Sequence, residues 1–399
     1  MYFCAHMAAT STTPTTQDVQ GFREALLSDY KLMCVSREAS LLGRKEVLTG
    51  KAKFGIFGDG KEMAQVALAK VVRAGDWRSG YYRDQTFMMA RGLLNVQQYF
   101  AALYAHADVA ADPTSGGRQM GGHFATRTLN EDGSWKDLMA DFNSSADISP
   151  TGGQMPRLVG LAQASKVFRA LPELASSMAT FTDGGNEIAV GTIGDASTSE
   201  GLFWESMNAA CVLEVPMLMS VWDDGYGISV PKKYQTVKES ISTALSGFQR
   251  EEGSNGLVIY RVKGWDYPNL VATYEDAAQR CREEHVPVLV HVEEVTQPQG
   301  HSTSGSHERY KTEERLAWAA EYDCIRQMAE FLLKEGAATQ EELDAIRKEA
   351  KKDVRAQQKE AWMAFRAALD EERMSAAELL APLDASRAGA LRGNGDAGR

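Results

Sequence analysis

Cysteine is scarce and unpatterned in this chain. Five occur in 399 residues, Cys4, Cys34, Cys211, Cys281 and Cys324, and no CxxC pair or other metal-ligand spacing joins them. The odd count, with Cys211 on an apolar helix face, points to reduced thiols in a cytoplasmic compartment. Positive charge is also in deficit. A formal net charge of −11 argues against a broad nucleic-acid surface and leaves room for a local basic pocket. No apolar run is long enough to span a bilayer, so no membrane role is expected. The first ten residues, MYFCAHMAAT, have neither a basic start nor a long apolar stretch and do not read as a signal peptide. No internal repeat is visible. What remains is an ordinary soluble composition, long enough for one large domain or two.

The chain is organised around residues 193–229. An apolar run over 188–193 ends in Gly194-Asp195. Small polar residues follow, then Phe203, Met207, Ala210 and Cys211 at the i, i+4, i+7, i+8 spacing of one helix face. A second apolar run over 215–222 ends in Asp223-Asp224-Gly225-Tyr226. Strand, helix and strand at this length make a βαβ unit with parallel neighbouring strands. Ligands of open α/β sheets bind at the carboxyl ends of such strands, so Asp195 and Asp224 are expected at one edge, able to share a hard cation.

Other loops are placed to reach that edge. Gly55 to Gly60 form a glycine-rich turn, and 61–72 reads as a buried helix. Tyr81, Tyr82 and Arg83 precede another apolar helix, and an arginine beside aromatics suits a phosphate or carboxylate. Residues 111–137 are loop-rich. Ser149-Pro150-Thr151-Gly152-Gly153-Gln154 is a small-residue turn leading into a helix over 155–170. Strand-like runs over 256–262 and 288–292 flank an amphipathic helix over 268–283, and the second run leads into a polar loop carrying His301 and His307. From 313 to 379 the pattern is two or three charged amphipathic helices. The expected class is α/β, a mainly parallel sheet with helices on both faces. A flexible arm over 1–18, an α/β domain over 19–312, a helical extension over 313–380 and a disordered tail over 381–399 complete the division.

Arg83, Ser149, Asp195, Asp224 and His301 at one edge suggest a diphosphate held through Mg²⁺, with the main-chain oxygen of Tyr226 as a third protein ligand. The same residues have plainer accounts. Asp195 could cap a helix beginning near Ser199, Asp223 and Asp224 could make a turn, His301 could be a solvated loop histidine, and Arg83 could sit in a surface salt bridge.

Several motifs in register narrow the choice. Gly194-Asp195-Ala196 to Asp223-Asp224 resembles the thiamine diphosphate motif, which runs from Gly-Asp-Gly to a pair of asparagines about thirty residues on. Tyr82-Arg83 followed by Arg91-Gly92 resembles a diphosphate-contacting segment. Gly117-Arg118-Gln119-Met120 with His123, Ser149-Pro150, Gln154 with Pro156, Ser199-Glu200-Gly201, Gly225-Tyr226 with Ile228-Ser229, and His301-Ser302-Thr303-Ser304 are similar to the alpha subunit of branched-chain 2-oxoacid dehydrogenase. The resemblance runs from about residue 25 to 310 and continues weakly beyond. The wording WDDGYGISVP and QPQGHSTSGSHERY is similar to a bacterial branch in which alpha and beta parts are fused, so the chain is expected to be a split alpha subunit or the front of a longer protein.

The resemblance implies a thiamine diphosphate-binding fold and oxidative decarboxylation of a 2-oxo acid, with acyl transfer to a lipoyl group. It implies Mg²⁺ held by Asp195, Asp224 and the Tyr226 main chain, and a diphosphate held by Tyr82 and Arg83. Ser149 and Thr151 would lie along the cofactor, with Gly194, Ala196, Ser197 and Gly225 in the binding segments. His301 would be the active-site histidine. Ser302 sits where animal relatives are phosphorylated. The implied partners are a beta subunit or fused beta domain, in an α2β2-type heterotetramer, and a lipoyl-bearing acyltransferase. Alternatives are a pyruvate or acetoin dehydrogenase alpha subunit, and a non-catalytic scaffold subunit. Four departures stand out. Asp224 replaces asparagine, Trp222 and Gln297 replace arginines, and Ala196 replaces glycine. The phosphate site loses positive charge, and Arg83 is expected to matter more.

Overall fold

The computed structural model describes residues 16–301 and 306–381. The arm expected over 1–18 lies outside the described residues as far as 15, and the expected tail lies outside them from 382. The strands are β1 (Trp77–Ser79), β2 (Asn143–Ser144), β3 (Ala189–Gly194), β4 (Met217–Trp222), β5 (Tyr226–Gly227), β6 (Val230–Pro231), β7 (Val258–Lys263) and β8 (Val288–Glu293). Six of them form one parallel sheet in the order β2-β1-β3-β4-β8-β7. β5 and β6 pair antiparallel as a separate hairpin.

The main helices are α1 (Thr16–Leu48), α2 (Glu62–Val71), α3 (Gln85–Ala90), α4 (Val96–Leu103), α5 (Met155–Ala170), α6 (Gly201–Leu213), α7 (Tyr267–Glu284), α8 (Glu313–Glu321), α9 (Cys324–Lys334) and α10 (Gln340–Leu380). The apolar runs of β3, β4 and β8 are nearly continuous because both faces of the sheet are covered. Val190, Leu218, Trp222, Val288 and Val290 face one core with Leu26 and Met33 of α1, Met63 of α2 and Tyr274 of α7. Ala189, Ile193, Met217, Met219 and Leu289 face the other, with Leu158 of α5 and Phe203 and Met207 of α6. Strand alternation thus divides each run between two cores. Gly191 lets α5 come close, since a β-carbon there would lie 2.3 Å from Leu158 Cδ2. The last two helices, α9 and α10, join the first core through residues such as Leu332, Leu343 and Val354.

The βαβ unit is built as its pattern implies. β3 and β4 are parallel neighbours, with Gly194 opposite Trp222, and α6 crosses between them. Asp195 therefore emerges beside the 223–226 turn.

Beneath that edge the first strands are tied by a buried cation. Arg78 of β1 donates from Nε to Asp84 Oδ2 at 2.8 Å, from Nη1 to Ser144 Oγ of β2 at 2.7 Å, and from Nη2 to Asp147 Oδ2 at 2.9 Å. Thr192 of β3 donates its hydroxyl to Asp84 as well. Burial opposes the charge on Arg78, but Asp147 and Asp84 hold the guanidinium above its ordinary range. Burial pushes the Asp84 carboxyl up to about 6. Removing one member of such a network strands a buried charge. Arg78→Met is therefore expected to lose about 3–5 kcal/mol of stability, read as a lower urea midpoint at unchanged slope. A loss below about 1 kcal/mol would contradict the assigned role.

Candidate active site

A cleft of about 470 Å³ opens at the carboxyl ends of the central strands. Tyr82 and Arg83 reach it from the loop after β1, Thr151 from the turn before α5, and Gly194, Asp195, Ala196 and Ser197 from the end of β3. Asp224 and Tyr226 follow β4, and His301 follows β8. Two of the expected residues are elsewhere. Ser149 is exposed and outside the lining, with its hydroxyl 2.9 Å from His123 Nε2. Gly225 faces a separate depression of about 240 Å³, beside Lys232 and Arg315.

The two adjacent aspartates are divided between two jobs. Asp223 accepts from Lys232 Nζ at 2.7 Å, His291 Nε2 at 3.1 Å and the Gly225 N–H at 2.9 Å. Despite its burial, His291 and Lys232 hold its carboxyl below the usual carboxylate range. Asp224 turns into the cleft. Its Oδ2 accepts from Lys61 Nζ at 3.0 Å and lies 3.1 Å from His301 Nε2, and its Oδ1 accepts from the Tyr226 N–H at 3.2 Å. Burial again opposes ionisation, but His301 and Lys61 hold it well below the usual range. The turn account of these residues is thus correct, and it coexists with the cleft.

Asp195 is the opposite case. Its side chain caps no helix, and its buried Oδ2 has no hydrogen-bond partner among the described residues. Burial, with Asp223 and Asp224 nearby, pushes its carboxyl well above the usual range. A buried carboxyl oxygen without a donor is satisfied by taking up a proton or by a cation. Among the described residues, no group of three or more His, Cys, Asp or Glu side chains forms a metal cage. Two carboxylates and a main-chain oxygen nevertheless suit Mg²⁺, which commonly completes its shell with water and substrate phosphate oxygens.

Arg83 is buried, which excludes a surface salt bridge. Its guanidinium donates to the Phe57 carbonyl and, at 3.1 Å, to the His301 carbonyl, and it lies 5.5 Å from the Tyr82 ring centre. His301 is no solvated loop residue either. Its side chain is 11% exposed, and its buried Nδ1 has no partner among the described residues. Ser302, Thr303 and Ser304 lie outside the described residues. Ala196 begins a tight turn, Ala196–Ser199, and is not among the residues with positive φ, so its methyl group fits where glycine is usual.

Sequence reasoning missed Lys61 as a site residue. Its side chain is 1% exposed, and it lines the cleft. Its ammonium donates to Asp224 Oδ2, to Gln297 Oε1 at 2.7 Å and to the Thr296 carbonyl at 3.3 Å. Gln297 in turn donates to Asp59 Oδ1 at 3.0 Å. A lysine at the N-terminus of an apolar helix opposes the helix dipole; that misplaced charge was the available signal. Trp222 is fully buried, with Nε1 3.4 Å from the Tyr274 hydroxyl, and contributes nothing to the cleft lining. Arg315 of α8 donates to the Asp224 carbonyl at 2.9 Å, so the C-terminal helices also bear on the site.

A family model described as the dehydrogenase E1 component matches residues 30–367. The chain is 28% identical over 317 residues to the 2-oxoisovalerate dehydrogenase subunit alpha of Bacillus subtilis (strain 168), covering 78% of this chain and 83% of that protein. It is 25% identical over 340 residues to the pyruvate dehydrogenase E1 component subunit alpha of Acholeplasma laidlawii, covering 83% and 82%. It is 27% identical over 332 residues to the 3-methyl-2-oxobutanoate dehydrogenase subunit alpha of Mycobacterium tuberculosis (strain ATCC 25618 / H37Rv), covering 82% and 76%.

Gly60 brings Lys61 against the loop after β8. It has φ +90°, and a β-carbon there would lie 2.1 Å from the Thr296 oxygen. Gly60→Ala is expected to cost about 2 kcal/mol or more, from positive φ and overlap with a carbonyl that cannot rotate away. Urea unfolding measures this; wild-type stability would contradict the packing described.

Proposed function

The chain belongs to the dehydrogenase E1 component family, and we propose that it is the alpha subunit of a branched-chain 2-oxoacid dehydrogenase whose active site is completed by a beta-type subunit. The observation that carries this reading is the buried pair Asp195 and Asp224, with Asp195 Oδ2 lacking a donor, in the cleft shared with Arg83 and His301. On this reading Asp195, Asp224 and the Tyr226 main-chain oxygen hold Mg²⁺. Tyr82 and Arg83 hold the diphosphate, Thr151 and the 194–197 turn border the cofactor, and Ser149 acts from outside the lining.

Thiamine diphosphate, when bound, supplies the nucleophilic carbon and the electron sink for decarboxylation. The protein's own groups orient it and manage protons. His301 Nε2 is committed to Asp224, so its unpartnered Nδ1 is the nitrogen free to exchange a proton with a group in the cleft or to orient an incoming lipoyl group. The proposed acceptor is a lipoyl-bearing acyltransferase, the proposed assembly an α2β2-type heterotetramer and the proposed compartment the cytoplasm. Among the described residues, no helix is long and apolar enough to cross a membrane. The proposed division keeps the cofactor domain at 19–312 and the helical extension at 313–380. The relatives named for 2-oxoisovalerate and 3-methyl-2-oxobutanoate support a branched-chain substrate; the relative named for pyruvate supports a second reading.

With a beta-type subunit present, turnover of 3-methyl-2-oxobutanoate is expected to exceed that of pyruvate, and the chain alone is expected to turn over neither. A reversed preference would favour the second reading, and robust turnover by the chain alone would remove the need for a partner. Asp195→Ala is expected to weaken Mg²⁺-dependent binding of thiamine diphosphate by about 100-fold or more, measured by calorimetry. Binding equal to wild type would sink the metal assignment.

A further inference from the structure

Two buried carboxylates, Asp195 and Asp224, line the cleft. A diphosphate entering it meets repulsion that Mg²⁺ and Arg83 must offset. Lys61 changes this balance. Its ammonium is buried at the cleft wall, in contact with both Asp224 and Gln297.

The placement is hard to explain as stabilisation. A buried lysine loses its hydration, and a lysine at the start of α2 opposes the helix dipole. A buried ion pair is weak evidence for stability, because an uncharged pair of similar shape is often as good. The three acceptors of Lys61 also come from the two loops that follow β4 and β8, which are the loops that carry the proposed metal ligand and the active-site histidine. They hold the ammonium between those loops, at the wall of the cleft that an incoming anion must enter.

We propose that Lys61 is a positioning residue for the cofactor's diphosphate and acts as one half of a matched pair: it cancels the charge of Asp224, so that the pair as a whole is neutral toward the anion. This rests on reading the cleft as a Mg²⁺–diphosphate site. The aspartate at 224 is tolerated at the cleft wall because the lysine is there.

The test is a charge-neutralising cycle on the full chain with a beta-type subunit present: wild type, Lys61→Gln, Asp224→Asn and the double variant. Each is titrated with thiamine diphosphate at saturating Mg²⁺ by calorimetry, and each unfolding midpoint is recorded without ligand. Lys61→Gln leaves Asp224 uncompensated and is expected to bind about 30-fold more weakly or worse. Asp224→Asn is expected to bind within about 5-fold of wild type or more tightly, and the double variant to recover to within about 5-fold. The double variant removes both charges, so its fold does not depend on a stranded carboxylate. Lys61→Gln binding within about 3-fold of wild type overturns the inference. So does loss in Lys61→Gln without recovery in the double variant, which would make Lys61 a purely structural contact. Absence of binding by the wild-type chain with the beta-type subunit present would instead overturn the functional reading on which the inference depends.

Discussion

Two carboxylates forced together at one sheet edge constrain everything around them. β3 and β4 are parallel and in register, so the residues that follow them emerge side by side, and those residues are aspartates. Burying like charges at such range is costly unless each is neutralised, paired or given a cation. The surrounding structure divides the task. Lys232 and His291 satisfy Asp223, which turns away from the cleft. Lys61 and His301 satisfy Asp224. Asp195 is left with an oxygen that no donor among the described residues reaches.

A second buried network makes this edge rigid enough to matter. Arg78 joins β1 and β2, while the Asp84 it binds is also bonded to Thr192 of β3. It lies just below the loop that carries Tyr82 and Arg83. Preorganised donors act on a ligand without a cost of reorganisation only if their supports do not move. Arg83 itself is held through the Phe57 and His301 carbonyls, which joins the loops after β1 and β8 with the turn before α2. Three of the chain segments that line the cleft therefore lock one another.

The elements were largely legible because they are local. The 3.6-residue period of α5, α6 and α7 and the apolar runs of β3, β4 and β8 depend on neighbours in sequence, and the observed limits fall within a few residues of those expected. The βαβ rule then placed Asp195 beside Asp224 without further information. What escaped were contacts between distant segments. Lys61 and Gln297 are 236 positions apart, and no local pattern joins them. Ser149 shows the same limit from the other side: its motif is intact, but the structure turns its hydroxyl to His123 rather than into the cleft. Trp222 shows it again, since whether a strand-end side chain enters the site or the core depends on Tyr274 of α7.

The outer wall of the cleft differs from the inner one. Past Asp224 the chain forms the β5–β6 hairpin, and Ile228 at its tip has φ +56°. A β-branched residue in the left-handed region carries strain of about 1–3 kcal/mol. Ile228 lines the cleft mouth and is 63% exposed, and Val230, Tyr234 and Val237 nearby are exposed as well. Burial of the Ile228 side chain within this chain does not repay that strain. Apolar groups held out beside a charged site gain free energy only when another surface covers them. On the proposed reading that surface is the beta subunit: the metal and phosphate half of the cleft is rigid, buried and supplied by this chain, while the opposite half is presented as an apolar rim.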